Sequence, residues 1–158
     1  IGKVQESGYR TVTVELSGKD AWIPTYYILA TAEASANLAR FDGVRYGHRP
    51  PTLEDDDDVI TRSRSEGFGE EVQRRIMLGT FVLSSGYYDA FYKKGQQARR
   101  KVVDGYASIF SRCDVLILPT TPTAAFKRGE KSRNPIEMYL NDLFTVSANL
   151  AGIPAISI

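Results

Sequence analysis

Two charged residues fall where helices should be burying apolar surface, and their chemistry is complementary. In "GEEVQRRIMLGTFVLSSGYYDAFY" (residues 69–92), a helical turn of about 100° per residue puts Val72, Ile76, Gly79 and Leu83 on one stripe. Arg75, three residues past Val72 and four before Gly79, lies at the edge of that stripe, while Arg74 points away beside Leu78. In "MYLNDLFTVSANL" the stripe is Tyr139, Leu143, Val146 and Leu150, and Asp142 occupies the same kind of edge position. A guanidinium on an apolar face is costly unless paired, so something anionic should face Arg75. Two roles fit the pair. Arg75 and Asp142 could pair with each other, or with backbone groups, inside the core. Alternatively they stand apart and recognise a zwitterion. Arginine's planar fork then takes an α-carboxylate bidentately, and the aspartate accepts hydrogen bonds from an α-ammonium.

Other candidate chemistry is thinner. His48 is the only histidine, so a Ser-His-Asp triad would have to use it, and its Pro-rich loop places it at the surface. Ser84 and Ser85 end a helix, where capping or packing is the expected role. Cys113 precedes the apolar run "DVLIL" and is expected to be an inert thiol rather than a nucleophile. The four consecutive aspartates, Asp55 to Asp58, invite a metal, but they also suit a solvated helix start. In the second reading Thr52 caps a short helix whose first turn holds Glu54 to Asp58 beside the positive end of the dipole. There is no G-x-S-x-G, H-E-x-x-H, P-loop or G-x-G-x-x-G motif. No nucleophile with its base is recognisable.

The elements that must position these residues alternate in type. "YRTVTVEL" (residues 9–16) reads as a strand and "SGKD" as a turn. "TYYILATAEASANLAR" is an alanine-rich helix with Pro24 in its first turn, its small residues pointing to close packing. "FDGVRYGHRPP" is loop. A helix over about Phe68 to Leu83 ends at "SSG", and an amphipathic helix follows from about Tyr87 to Phe110. Its Lys93, Lys94, Arg99, Arg100 and Lys101 face mainly outward. "DVLILP" is a continuous apolar run, as in a strand covered on both faces. The loop after it leaves the carboxyl end of that strand, where open α/β sheets bind ligands. A single last helix, "IEMYLNDLFTVSANLAG", leads into a final strand. This alternation predicts a layered α/β architecture.

With 158 residues, 42% hydrophobic and 25% charged, the chain can build one core. Its net charge of +1 gives no support for a nucleic-acid or membrane surface. A single cysteine excludes an internal disulfide framework, and no apolar run nears the length of a membrane span. A cytoplasmic setting is the expectation, or an organellar one in a eukaryote. From the opening on Ile1 and the stop inside "GIPAISI", a piece of a longer chain is expected.

Four segments carry a family resemblance: "YYILATAEASANLARFDGVRYG", "RSRSEGFGEEVQRRIMLGTFVLSSGYYDAFYKKGQQAR", "LPTTPTAAF" and "MYLNDLFTVSANLAGIPAISI". They resemble the A subunits of the aspartyl/glutamyl-tRNA amidotransferases, within the amidase signature family. "NLAGIPAISI" is common to amidases generally, while the first two segments are particular to the A subunits.

The resemblance implies the amidase signature fold, a mixed β-sheet covered by helices. Residues 1–158 would then be a partial amidase domain, truncated at both ends. It also implies a glutaminase whose released ammonia reaches a B subunit. That B subunit, using ATP and Mg, activates misacylated Glu-tRNA or Asp-tRNA for conversion to Gln-tRNA or Asn-tRNA, within a complex that includes a C subunit. The family's Ser-cisSer-Lys triad lies upstream of the matching region. This chain therefore contains no catalytic residue, and inactivity of the fragment itself is expected. By motif match, the second arginine of "QRRIMLGT" (Arg75) holds the glutamine carboxylate and the aspartate of "YLNDLFT" (Asp142) the α-amino group. The first tyrosine of "PTYYILA" (Tyr26) lines the pocket and is implied by the resemblance alone. A catalytically silent structural fragment and a general small-amide amidase are the alternatives; a serine and lysine upstream in the full reading frame would separate them.

Overall fold

Backbone hydrogen bonding in the computed structural model is helical wherever it is regular, over the described residues 2–53, 58–128 and 135–158, with only the backbone of 135–137 described. A short helix α1 (Gly2–Glu6) is followed by an extended segment and a 3₁₀ turn at Lys19–Ala21. Then come α2 (Trp22–Leu38), α3 (Val59–Gly67), α4 (Glu70–Leu83) and a π-helical stretch, Tyr88–Lys93, that runs into α5 (Lys94–Phe110). Helices α6 (Pro135–Leu140) and α7 (Leu143–Ala151) complete the order. The chain divides into two compact units, Ile1–Ile23 with Ala98–Ile158, and Pro24–Gln97.

The unit Pro24–Gln97 is organised by a close approach of α2 and α4. Pro24 sits in the first turn of α2, where its missing N–H costs nothing. Glu70 and Glu71 occupy the first turn of α4, favourable beside the dipole. A Cβ on Gly79 would collide with the Thr31 carbonyl oxygen and come within 2.7 Å of the Ser35 Cβ. Only a residue without a side chain lets the two backbones meet there. One residue on, the Ser35 and Thr80 hydroxyls hydrogen-bond across the contact at 3.0 Å. Leu29, Ala32 and Val82 are buried in this unit, and Gly95, at the start of α5, is held against Ile28 and Leu29.

In the other unit, Trp22, Tyr106, Ile109, Val146 and Leu150 form the core. The Tyr106 hydroxyl lies 2.7 Å from the fully buried Ser147 Oγ, which in turn donates to the Phe144 carbonyl at 2.7 Å. Arg99, expected outward, instead donates from Nε to the Leu150 carbonyl at 2.9 Å, satisfying one of the last acceptors of α7.

Two expectations are corrected, and a third is not met among the described residues. The last helix is two: backbone turns at Asn141 and Asp142, bonded to Met138 and Tyr139, interrupt it, and Asp142 becomes the N-cap of α7. Asn and Asp compete for backbone groups and favour caps over helix interiors. Asp58, expected in the first turn of a helix capped by Thr52, is instead itself the cap of α3, accepting from the Ile60 and Thr61 amides at 3.2 Å each, while Glu54–Asp57 lie outside the described residues. No β-strand forms among the described residues, so the mixed sheet is not seen. Residues 9–16, 114–118 and 155–158 are without regular structure, and Val115 and Ile156 are 74% and 88% exposed. A strand gains its ladder of backbone bonds from a neighbouring strand, and these segments lie beside no strand among the described residues.

Gly79→Ala should lower stability by about 1–3 kcal/mol, the scale of overpacking. Gly105→Ala, in α5 with nothing within 4 Å of its added Cβ, should instead raise it by about 0.4–1 kcal/mol. Denaturant midpoints of the two variants test this; a Gly79→Ala midpoint equal to wild type would contradict the close approach.

Candidate functional site

Arg75 is held by its own helix. Its Nε donates to Glu71 Oε1 at 3.0 Å, one turn toward the N-terminus. Its guanidinium carbon lies 5.7 Å from the centroid of the Tyr27 ring on α2, and Tyr27 meets Tyr26 edge to face at 5.3 Å. Partial burial works to lower the Arg75 pKa, but the Glu71 hydrogen bond and charge, with the Tyr27 and Tyr26 phenols, outweigh it and raise it further. The anionic neighbour is therefore Glu71, a residue that the apolar spacing alone does not single out. An acid and a base at i and i+4 are the available signal. Arg74 is engaged at both ends, Nη1 with Glu71 Oε2 at 2.6 Å and Nη2 with Glu70 Oε1 at 3.1 Å. Arg75 differs: among the described residues its two terminal nitrogens meet no acceptor. A guanidinium gripped by Nε and open at Nη1 and Nη2 can take a carboxylate end-on through two hydrogen bonds.

Asp142 was expected at the edge of a buried helix face; it is exposed, because the helix breaks there. Val146 and Leu150 of its stripe are buried as read from the spacing. Its carbonyl accepts from the Val146 amide at 2.9 Å and the Thr145 hydroxyl at 3.0 Å. Its carboxylate makes no capping bond and, among the described residues, accepts no hydrogen bond. Arg75 belongs to the unit Pro24–Gln97 and Asp142 to the other.

The remaining candidates are spent on structure or solvent. His48 is exposed, its Nε2 2.9 Å from Glu66 Oε2, and Arg62 Nε holds the other oxygen of that carboxylate at 2.8 Å. Ser84 Oγ donates to the Phe81 carbonyl at 2.7 Å, closing α4. Cys113 Sγ is partly buried and 3.4 Å from the Ile109 carbonyl. Among the described residues no three His, Cys, Asp or Glu side chains are grouped to hold a metal, and no helix is long and apolar enough to cross a membrane.

The whole chain, residues 1–158, matches the amidase family model, and the chain belongs to the amidase family. Among curated relatives, it is 52% identical over 158 residues to the A subunit of glutamyl-tRNA(Gln) amidotransferase from Thiobacillus denitrificans, covering 100% of this chain and 33% of that protein. The protein of the same name from Nitrosospira multiformis is 51% identical over 158 residues, with coverage of 100% and 33%. That of Chlorobaculum tepidum is 54% identical over 156 residues, with coverage of 99% and 32%. The chain thus spans about a third of the length of the curated relatives it matches.

The loop after α2 carries a pH-sensitive carboxylate. The Asp42 carboxylate accepts from the Arg45 and Val44 amides at 2.8 and 2.9 Å and from Arg45 Nε at 2.9 Å. These bonds, the backbone ones foremost, hold its pKa at about 2 against an ordinary 3.8. A depressed carboxyl pKa stabilises the fold above the unfolded value and loses that contribution as pH falls from about 4 through about 2. Asp42→Asn should therefore flatten the acid limb of a denaturation-midpoint profile over that window. An unchanged acid slope would show that the loop gains nothing from the charge.

Proposed function

We propose that this chain is the glutamine-recognising part of the glutaminase component of a tRNA-dependent amidotransferase. The observation that carries the reading is the guanidinium of Arg75, gripped at Nε and open at its outer edge. Identity near 50% along the whole chain to the A subunits supports it. Arg75 is assigned the glutamine α-carboxylate, at its Nη1–Nη2 edge, and Asp142 the α-ammonium, each residue within its own unit. Tyr26 is assigned to the carboxylate end of the glutamine, its placement beside Tyr27, which meets Arg75, compatible with that role. The side-chain amide is cleaved by a Ser-cisSer-Lys triad supplied from outside these residues. The ammonia passes to the B subunit, where ATP and Mg serve the activation of Glu-tRNA(Gln) or Asp-tRNA(Asn), in a cytoplasmic or organellar complex that includes the C subunit.

In this reading residues 1–158 are part of a single amidase domain with a mixed sheet. Segments 9–16, 114–118 and 155–158 find their strand neighbours within the longer polypeptide, which covers Val115, Ile117, Ile156 and Ile158. The exposure of these four side chains supports it, since long apolar runs do not stay in solvent in a finished fold.

The test uses the full-length protein in its complex. Arg75→Lys keeps the charge but loses the planar two-donor fork. It should weaken glutamine-driven turnover by roughly 1.5–3 kcal/mol, the scale of a hydrogen bond to a charged group, or about 10- to 150-fold in kcat/KM. Asp142→Asn should cost a similar amount. Transamidation driven by added ammonium chloride should hardly change, because free ammonia bypasses the glutamine site. Equal losses with glutamine and with ammonia would remove the recognition role and leave a structural one.

A further inference from the structure

Glu71 bonds to both arginines of the "RR" pair. Its Oε1 takes the Nε of Arg75 at 3.0 Å and its Oε2 takes Nη1 of Arg74 at 2.6 Å. Arg74 is itself anchored on Glu70. The carboxylate is thus fixed from one side by Arg74 and fixes Arg75 on the other. The Tyr27 ring supplies the second restraint, 5.7 Å from the guanidinium carbon. An acceptor on Nε and an aromatic ring beside the plane leave a guanidinium little rotational freedom. Only the Nη1–Nη2 edge remains for a ligand.

We propose that Glu71 is a positioning residue for substrate, orienting Arg75 so that its outer edge takes an amino-acid carboxylate end-on. The inference rests on the glutamine-recognition reading above and adds to it which edge is used and what sets it. The Glu71 and Arg75 side chains are 44% and 38% exposed, and ion pairs that accessible contribute little to folding. The value of the contact lies in geometry. A long side chain that must be immobilised at each binding event weakens binding; one already immobilised does not. Because Glu71 meets Nε rather than the outer edge, it also does not compete with the incoming carboxylate.

The experiment measures glutamate release from glutamine by the full-length protein in its complex, with Glu71→Ala, Glu71→Gln and Arg75→Lys. Glu71→Ala should raise the glutamine KM about 10-fold, the loss of one charge-assisted hydrogen bond's worth of orientation, with kcat kept within about twofold. Glu71→Gln, whose amide oxygen still accepts from Nε, should recover most of that loss, and neither variant should move Tm by more than about 2 °C. Three results would overturn the proposal: an unchanged or lowered KM in Glu71→Ala, no rescue by glutamine at that position, or kcat and Tm falling together. If Arg75→Lys raises KM while Glu71→Ala does not, positioning fails and recognition stands. If Arg75→Lys leaves KM unchanged, the recognition reading fails, and this one with it.

Discussion

The meeting of backbones at Gly79 is the constraint on which the rest of residues 24–97 depends. Helices α2 and α4 touch at three places. Tyr27 faces Arg75, and four residues further along each helix Thr31 faces Gly79. Ser35 follows, bonded to Thr80. One turn of each helix separates the tight contact from the Tyr27–Arg75 contact. A methyl at position 79 would push the helices apart and lift the ring away from the guanidinium. A glycine without catalytic chemistry thereby sets the distance between an arginine and an aromatic face.

That geometry also explains how an arginine near an apolar stripe is tolerated without a buried counter-ion. A fully buried pair would need near-ideal geometry and saturated hydrogen bonds to offset desolvation. Arg75 avoids most of that cost by staying 38% exposed and laying its guanidinium toward Tyr27. Its partner Glu71 is one helical turn away, so pairing requires no long-range closure.

What is legible in the sequence follows the range of the physics involved. The bounds of α4 come through nearly whole, because its apolar spacing and "SSG" break are local. The alanine-rich character of α2 points to close packing, and the approach at Thr31 and Gly79 is of that kind. The break at Asn141–Asp142 is hidden because Tyr139, Leu143, Val146 and Leu150 keep their spacing across it; periodicity does not see a turn that preserves phase. The alternating Thr and Val of residues 11–14 read as a strand, yet a strand is a property of at least two segments, and no second strand forms among the described residues. Tyr27 is masked by Tyr26, since two adjacent aromatic rings cannot be told apart until helix register is fixed. The family to which the chain belongs is readable from its motifs.

Most charges near the backbone here are consumed in holding it. Asp42 is spent on two amides and Arg45, Asp58 on the start of α3, and Arg64 on the Leu38 and Phe41 carbonyls. Such groups give stability and, being saturated, have nothing left for a ligand. The outer edge of Arg75 and the carboxylate of Asp142 are different in kind, each anchored by other atoms of its own residue. Arg75 is held through Nε; Asp142 is held through its main-chain carbonyl, which closes the first turn of α7. A helix cap ordinarily turns its carboxylate onto the amides of the first turn, and Asp142 does not. An N-cap that leaves its side chain unused gives up about 1 kcal/mol of local stability. A fold keeps such a sacrifice when the charge has another partner to meet, and on the reading proposed here that partner is the ammonium of the substrate.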